Sequence, residues 1–150
     1  MVKTEQDYDV FVNRLHQKYP EMFSGQYGGV AVGEGWWPII ESLCSNIQSH
    51  LDHRNGLAKQ YPDQHKPVPQ VVIAQIKEKF GGLRFYYDGG DDTIYGMVRI
   101  AEAWAGRSCE ECGNVGKRFG EGWVRTLCDF HIVEREAVKA QHAKENGLEL

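Results

Sequence analysis

Apolar residues in the first third of the chain recur at spacings of three and four, the pattern of helices that bury one face. The pattern predicts helices over residues 4–19 and 36–54. The first helix has the spacing of a capping box between Thr4 and Asp7, in which each residue satisfies a backbone amide of the other. The glycine-rich residues 25–35 between the two helices are expected to form a loop or a short irregular strand.

The second helix has Pro38 in its first turn, and Asn55-Gly56 is expected to end it. Its apolar stripe contains Cys44, which we interpret as a buried free thiol because unpaired cysteines behave as small apolar residues. The polar segment 55–69 that follows contains three prolines and is the candidate for a linker. Because a division there would leave two marginal domains, we predict a single domain.

A β-hairpin gives the clearest strand signal. Residues 70–80 and 83–88 are rich in β-branched and aromatic residues, and they flank Gly81-Gly82, which is expected to form a two-residue turn. This turn predicts five cross-strand pairs: Phe80 with Leu83, Lys79 with Arg84, Glu78 with Phe85, Lys77 with Tyr86, and Ile76 with Tyr87. Side chains that oppose each other across two strands share a face of the sheet.

The predicted register gives the hairpin an apolar face and a basic, aromatic face. The inward face carries, with Glu78 as its exception, Ala74, Ile76, Phe80, Leu83, Phe85 and Tyr87. The outer face carries Gln75, Lys77, Lys79, Arg84, Tyr86 and Asp88. A third helix is predicted after the hairpin, with an N-cap from Asp91-Asp92, an end at Gly106 and an apolar stripe of Ile94, Met97, Val98, Ala101, Trp104 and Ala105.

Three of the four cysteines lie close together towards the C-terminus. They form, with one histidine, the pattern C-x2-C-x15-C-x2-H: Cys109, Cys112, Cys128 and His131. This spacing is typical of a structural zinc site, in which four protein ligands complete a tetrahedron and leave no open position. Unligated core cysteines or a disulfide are the alternative. Short strands are predicted over residues 115–119 and 123–127, and a helix after the second ligand pair.

The order of knuckle, hairpin and helix resembles a treble-clef zinc finger. The resemblance places Cys128 and His131 on the first turn of the last helix, where the helix dipole favours a thiolate. We therefore predict an α+β fold over residues 1–150. Helices would pack on a β-hairpin or small antiparallel sheet over residues 1–106, and a treble-clef-like zinc finger would follow over residues 107–145.

Composition and charge narrow the class of protein. Hydrophobic residues make up 41% and charged residues 25%, which is ordinary globular usage. The net charge of −4 lowers the expectation of non-specific nucleic-acid binding. No apolar run approaches the roughly 18–20 residues that a membrane-spanning helix needs. The polar N-terminus and the C-x-x-C spacing favour a reduced compartment, and we expect the cytoplasm.

The outer hairpin face supplies the candidate binding residues, which are Lys77, Lys79, Arg84 and Tyr86. The face would bind an anion, a nucleic acid or an acidic protein, or it would be a solvated strand face whose charges are balanced nearby. A nucleic-acid interface would add contacts from Lys117, Arg118 and Arg125. Trp36, Trp37 and the segment 55–69 form the second candidate surface.

No catalytic motif supports an enzyme. The chain lacks a nucleophile elbow, a Walker loop and a zinc-protease motif. Glu78 on the apolar face is expected to pair with an arginine, because buried carboxylates usually have partners. The remaining enzyme hypothesis assigns acid or metal-ligand roles, in a reaction on a nucleotide or nucleic acid, to Glu78, Asp88, Asp91 and Asp92.

Two stretches together resemble small proteins encoded by bacteriophages and prophages. They are the segment from Ile76 to Tyr87 and the finger with Gly122-Trp123 before its second ligand pair. The similarity spans residues 36–131 and carries no catalytic residues. It implies a phage accessory protein in the bacterial cytoplasm, and such proteins often bind and inhibit a host factor, including defence systems.

The leading hypothesis is therefore a non-enzymatic binding protein that docks on a bacterial host protein, with one structural zinc ion per chain. A nucleic-acid-binding zinc-finger protein is the alternative.

Overall fold

The computed structural model describes residues 4–25 and 29–147. In these residues the helices are α1 (Glu5–Lys18), α2 (Trp37–Gln60), α3 (Asp92–Ala105) and α4 (Asp129–Glu145). The strands are β1 (Val30–Ala31), β2 (Val72–Lys79), β3 (Gly82–Asp88), β4 (Lys117–Phe119) and β5 (Arg125–Leu127). The predicted α+β class is confirmed.

The first helix begins as its sequence predicts. The Asp7 N–H donates to Thr4 Oγ1 at 3.3 Å, and the Thr4 N–H donates to Asp7 Oδ2 at 2.6 Å, which completes the capping box. Reciprocal capping of this kind satisfies two amides that have no partner inside the helix.

The predicted end of the second helix is wrong, since α2 continues through Asn55-Gly56 to Gln60. The Asn55 side chain is used elsewhere: its Nδ2 donates to the Val68 carbonyl at 3.1 Å, and its Oδ1 accepts from the Val68 N–H at 2.7 Å. A Cβ atom at Gly56 would meet no neighbouring atom. A glycine inside a helix costs about 1 kcal/mol of stability relative to alanine. Asn55 therefore anchors the following segment instead of ending the helix.

The helices α1, α2 and α3 and the larger sheet enclose one hydrophobic core. Phe11 of α1 stacks on Trp37 of α2, with ring centroids 4.6 Å apart. The prediction for Cys44 is confirmed, because this thiol is fully buried and burial raises its pKa to about 12. Cys44 is therefore an unreactive part of the core.

The larger sheet has the order β1-β2-β3. β2 and β3 are antiparallel, whereas β1 runs parallel to β2 with Val30 beside Ile76. The sheet is therefore mixed, and the glycine-rich segment supplies the short strand that its sequence allowed. β1 also brings residues 33–36 beside the C-terminal part of the chain.

The hairpin turn lies one residue earlier than predicted, at Phe80-Gly81. Both residues have positive φ, 52° and 77°, which is the requirement of a type I′ turn. Glu78 Oε1 accepts a hydrogen bond from the Gly81 N–H at 2.6 Å and holds this turn in place. The prediction that Glu78 pairs with an arginine is therefore wrong. In the described residues its carboxylate binds the backbone of the turn instead. The observed pairs are Lys79 with Gly82, Glu78 with Leu83, Lys77 with Arg84, and Ile76 with Phe85.

The shifted turn moves each residue's cross-strand partner along β3 by two positions. Most residues keep the predicted face, because a shift of two positions preserves the alternation of the two faces. Ile76, Leu83 and Phe85 are buried as predicted. Phe80 is wrong as a core residue, because it occupies the turn and is 64% exposed. Ala74 is also exposed, because a bulge between Ile73 and Gln75 turns Ile73 into the core instead.

The third helix has the predicted bounds, with Asp91 as N-cap. Asp91 Oδ1 accepts from the Ile94 N–H at 3.0 Å, while Oδ2 lies 2.8 Å from His50 Nε2 on α2. Trp104 is wrong as a core residue, because the buried face is filled by Ile94 and its neighbours and Trp104 is 63% exposed. No helix in the described part of the chain combines the length and apolar content needed to cross a bilayer.

Candidate metal centre and binding face

The four predicted metal ligands come from a knuckle and a helix start. Cys109 and Cys112 lie on a tight turn in which the Gly113 N–H donates to the Cys109 carbonyl at 2.8 Å. Strands β4 and β5 then return the chain to Cys128, which is the N-cap residue of α4. His131 lies in the first turn of that helix, so the predicted order of knuckle, hairpin and helix is confirmed.

The ligand atoms lie at distances that suit one metal ion. All four are within 4.8 Å of one another. The Sγ atoms of Cys112 and Cys128 are 3.8 Å apart, and His131 Nδ1 is 3.2 Å from Cys128 Sγ and 3.4 Å from Cys109 Sγ. A tetrahedral ion with metal–sulfur bonds of about 2.3 Å and metal–nitrogen bonds of about 2.0 Å requires separations of about 3.5–3.8 Å. The three shortest separations are close to these values, and the four side chains are thus arranged to hold one metal ion.

The start of α4 favours a thiolate at this site. The backbone amide of His131, acting against burial, lowers the pKa of the Cys128 thiol to about 7. Partial desolvation at the knuckle instead raises the pKa of Cys112 to about 11. Several thiolates packed this closely repel one another, and a bound cation would offset that repulsion.

The metal centre has its own small apolar cluster. Leu127 and Ile132 are buried beside Cys109 and Cys128, and Phe119 packs against them. So few apolar residues bury too little surface to hold the finger closed alone, which makes the ligand cluster its principal support.

The knuckle is also attached directly to the helical part of the molecule. The Gly35 N–H donates to the Glu110 carbonyl at 2.7 Å, and the Gly33 N–H donates to Glu110 Oε1 at 3.0 Å. Trp36 Nε1 donates to the Ser108 carbonyl at 2.8 Å. Sequence reasoning missed this junction, although the glycines at 33 and 35, which leave room for a second backbone, were its one visible signal.

Glu110 joins the junction to the finger through an arginine. Its carboxylate is nearly buried and accepts from Arg125 Nη2 at 2.9 Å, and Arg125 also lies 2.6 Å from Glu111. Arg125 is therefore committed to a structural ion-pair group. Its contribution to a nucleic-acid surface stays a prediction, and a phosphate would have to compete with these two carboxylates for its guanidinium.

The predicted binding residues do share the outer hairpin face. Lys77 lies over the ring of Tyr86, 5.5 Å from its centroid, and Arg84 opposes Lys77 across the strands. Lys79 lies 5.6 Å from the ring centroid of Phe80. The structure therefore adds Phe80 to the face, and we refer to Lys77, Lys79, Phe80, Arg84 and Tyr86 as the hairpin face.

The finger holds the tip of the hairpin face. Thr126 Oγ1 donates to the Gly81 carbonyl at 2.6 Å, and the Arg118 guanidinium donates to the Phe80 carbonyl. These contacts span about 40 residues of chain and join β5 and β4 to the turn of the other sheet. The finger and the hairpin face thus form one connected surface.

Two of the four proposed catalytic acids have capping roles in the structure. Glu78 caps the hairpin turn, and Asp91 caps α3. Burial would raise the pKa of Asp91, but hydrogen bonds from His50 and the Ile94 amide outweigh burial and lower it. Within residues 4–25 and 29–147, the Cys3His cluster is the one group of three or more candidate ligands close enough to hold a metal ion.

The two tryptophans of the second candidate surface are corrected as well. Trp36 is fully buried and Trp37 is 7% exposed, so neither indole presents a surface to a partner.

Comparison of the chain with protein-family models, with curated proteins and with solved structures finds no match.

Proposed function

We propose that the protein is a non-enzymatic, zinc-stabilised binding module whose hairpin face docks on an acidic surface of a bacterial host protein. The resemblance to phage and prophage proteins supplies the host, and it makes inhibition of a host factor, such as a defence system, the biological outcome. The observation that carries the proposal is the anchoring of a basic, aromatic hairpin tip on the finger.

Zinc is the metal proposed for the Cys3His cluster. Soft thiolates with one imidazole in a tetrahedral arrangement suit Zn²⁺, and four protein ligands leave no position for water or substrate. Zinc therefore has a structural role in the proposal. Elemental analysis of reduced, purified protein should find one zinc ion per chain, and protein without bound metal would contradict the assignment.

The charge and exposure of the hairpin face support a macromolecular partner. Tyr86 and Phe80 are 41% and 64% exposed, and each lies against a lysine ammonium group. Exposed aromatic rings are enriched in interface centres, and cations beside them steer an acidic partner and add specificity. Anchoring of the turn by the finger reduces the entropy lost when a partner binds.

The nucleic-acid alternative is favoured by one observation. Phe80 is an exposed ring beside Lys79, and Arg118 contacts its backbone from the finger. A ring on which a base stacks, flanked by cations that meet phosphates, is the usual arrangement in single-strand binding. Steep weakening of binding with added salt would identify this partner, because phosphate contacts release counterions.

Charge reversal tests the proposed face. The double variant Lys79→Glu with Arg84→Glu should fold normally, because glutamate at position 84 opposes Lys77 and removes a like-charge pair. Binding should weaken by several kcal/mol through like-charge repulsion with the partner. The control is Lys18→Glu with Lys139→Glu, which changes the net charge equally at exposed positions outside both candidate surfaces.

Circular dichroism and zinc content first establish that both double variants are folded and hold their metal. Proteins captured from bacterial lysate are then identified by mass spectrometry, and affinities for the captured protein, DNA and RNA are compared at two salt concentrations. If the Lys79/Arg84 variant binds as tightly as the control, the hairpin face is only a solvated surface.

A further inference from the structure

A cleft of about 1450 Å³ lies between the finger and the helical part of the molecule. Glu5 and Tyr8 of α1 and the segment 31–34 line it from the helical part, whereas Trp123 and Phe130 line it from the finger. Sites for small molecules measure roughly 300–1,000 Å³. The cleft therefore has room for a segment of another protein chain.

The two aromatic rings that line the cleft from the finger are exposed. Trp123 is 74% exposed and Phe130 is 69% exposed. The face of an aromatic ring attracts an ammonium or guanidinium group, and tryptophan does so most strongly. The two rings are therefore suited to lysine or arginine side chains of a partner.

The lining of the cleft is strongly acidic. Among the described residues it contains two arginines, Arg125 and Arg135, and neither lysine nor aspartate. Its six glutamates are Glu5, Glu34, Glu78, Glu110, Glu111 and Glu134. The excess of four negative charges equals the net charge of the whole chain, −4, so the residues outside the lining are electrically balanced.

The ion pairs within the cleft leave this excess in place. Arg125 has two carboxylate partners, Glu110 and Glu111, and its single charge offsets one of them. The side chains of Glu111 and Glu134 are 40% and 61% exposed, and Glu5 is exposed as well. A cleft lined by one sign of charge concentrates partners of the opposite sign.

Arg135 supplies a separate observation. It lines the cleft from α4, and its Nη2 donates to the Trp123 carbonyl at 3.5 Å. Its Nη1 is buried and has no hydrogen-bond partner among the described residues. A buried donor of this kind needs an acceptor. The backbone carbonyl of a bound peptide is an acceptor without the negative charge that the glutamates would repel.

We propose that this cleft is a second docking surface, which binds a basic segment of another protein. Charge complementarity selects the occupant, since lysine or arginine side chains would meet the glutamates and the two exposed rings. The proposal goes beyond the function of the hairpin face, because the two surfaces have opposite charge and share no residue.

Fluorescence anisotropy with the reduced, zinc-loaded full chain tests the cleft. The probe is a short fluorescein-labelled peptide of alternating lysine and alanine, and the same peptide with glutamate in place of lysine is its control. The lysine peptide should bind, and the glutamate peptide should not. Glu5→Lys should raise the dissociation constant about tenfold, because it replaces attraction by repulsion. Trp123→Gln should raise it about three- to tenfold through the lost cation–π contact.

Each variant has a matched control outside the cleft. Glu21→Lys makes the same change of charge at an exposed position beyond the other end of α1, and Trp104→Gln removes a 63% exposed indole from α3. Both controls should bind the lysine peptide like the wild type. Circular dichroism and zinc content establish that all four variants are folded. The Lys79→Glu, Arg84→Glu variant should bind this peptide at least as tightly as the wild type, which separates the cleft from the hairpin face.

Equal binding of the lysine and glutamate peptides, or binding of neither at millimolar protein, would overturn the proposal. So would a Glu5→Lys variant that is weakened no more than Glu21→Lys, because the attraction would then come from net charge alone. Sedimentation equilibrium examines a second copy as the occupant. If the wild type dimerises and the Lys79→Glu, Arg84→Glu variant does not, the cleft holds the hairpin face of another copy, and a basic segment of another protein is wrong.

Discussion

A few individual residues decide how the finger meets the rest of the molecule, and Gly35 is the clearest of them. A Cβ atom at this position would lie 2.2 Å from the Cys109 carbonyl, 2.5 Å from the Gly113 nitrogen and 2.7 Å from the Cys112 nitrogen. These three atoms belong to the backbone of the knuckle that carries two metal ligands. The absent side chain at Gly35 is therefore what allows the knuckle to approach.

Gly35→Ala should consequently destabilise the protein and weaken its hold on the metal. Backbone atoms cannot rotate away as a side chain does, so we expect a loss of about 3 kcal/mol, at the upper end for overpacking. Denaturant unfolding and a zinc-affinity titration would measure both effects. Gly56→Ala is the matched control, because its Cβ meets nothing and the substitution should stabilise α2 by up to about 1 kcal/mol. Equal stability of the two variants would contradict the close approach.

At the scale of elements, the hairpin shows that the local sequence determines which side chains face the core but does not determine where the turn lies. Alternation of apolar and polar residues correctly predicts that Leu83 and Phe85 face the core. The position of the turn depends on Glu78, which lies in the same strand, and on contacts from Thr126 and Arg118 of the finger. Glycine at both positions of the predicted turn satisfies the local preference for positive φ. The turn nevertheless lies one residue earlier, where Glu78 and the finger hold it.

The Cys3His cluster was predictable because the spacing of its residues is a local feature of the sequence. The bulge that turns Ile73 inward, the α2 continuation past Gly56 and the exposure of Trp104 were not, since each depends on neighbours far along the chain. The Gly33–Glu110 junction was hidden for the same reason, with 77 positions between its partners.

Phe80 distinguishes the two hairpin registers experimentally. In the predicted register Phe80 is a core residue, and its replacement should cost about 3–5 kcal/mol. In the observed register Phe80→Asn creates an Asn-Gly type I′ turn and should leave the free energy of unfolding unchanged or raise it by up to about 1 kcal/mol. Phe85→Ala, which removes a buried ring, serves as the destabilised reference in the same denaturant series. A loss at Phe80 as large as that at Phe85 would restore the predicted register.

For the whole molecule, the two parts predicted over residues 1–106 and 107–145 are joined at two places. One junction connects Gly35 to Glu110, and the other connects the hairpin turn to Thr126. Apparent zinc-binding free energies in small fingers are about 10–16 kcal/mol, comparable to the stability of a whole domain. Loss of the metal should therefore affect both junctions and, through them, the hairpin face.

Hydrogen exchange after treatment with a chelator, or in a Cys109→Ser variant, measures how far that effect reaches. Amides of residues 109–131 should lose protection, and so should the Gly35 amide, which donates to the Glu110 carbonyl. The Gly81 amide donates to Glu78 within the hairpin, and it should lose protection because the turn loosens once Thr126 and Arg118 release the carbonyls of Gly81 and Phe80. Amides around Ile47 in the middle of α2 should keep their protection, because the main core does not use the metal. Thr126→Val with zinc bound removes the hydrogen bond to the Gly81 carbonyl and leaves the ligand set intact, so it should lower the protection of the Gly81 amide and leave the Gly35 amide protected. If Gly81 stays protected without metal, the finger unfolds by itself, and the metal does not position the hairpin face.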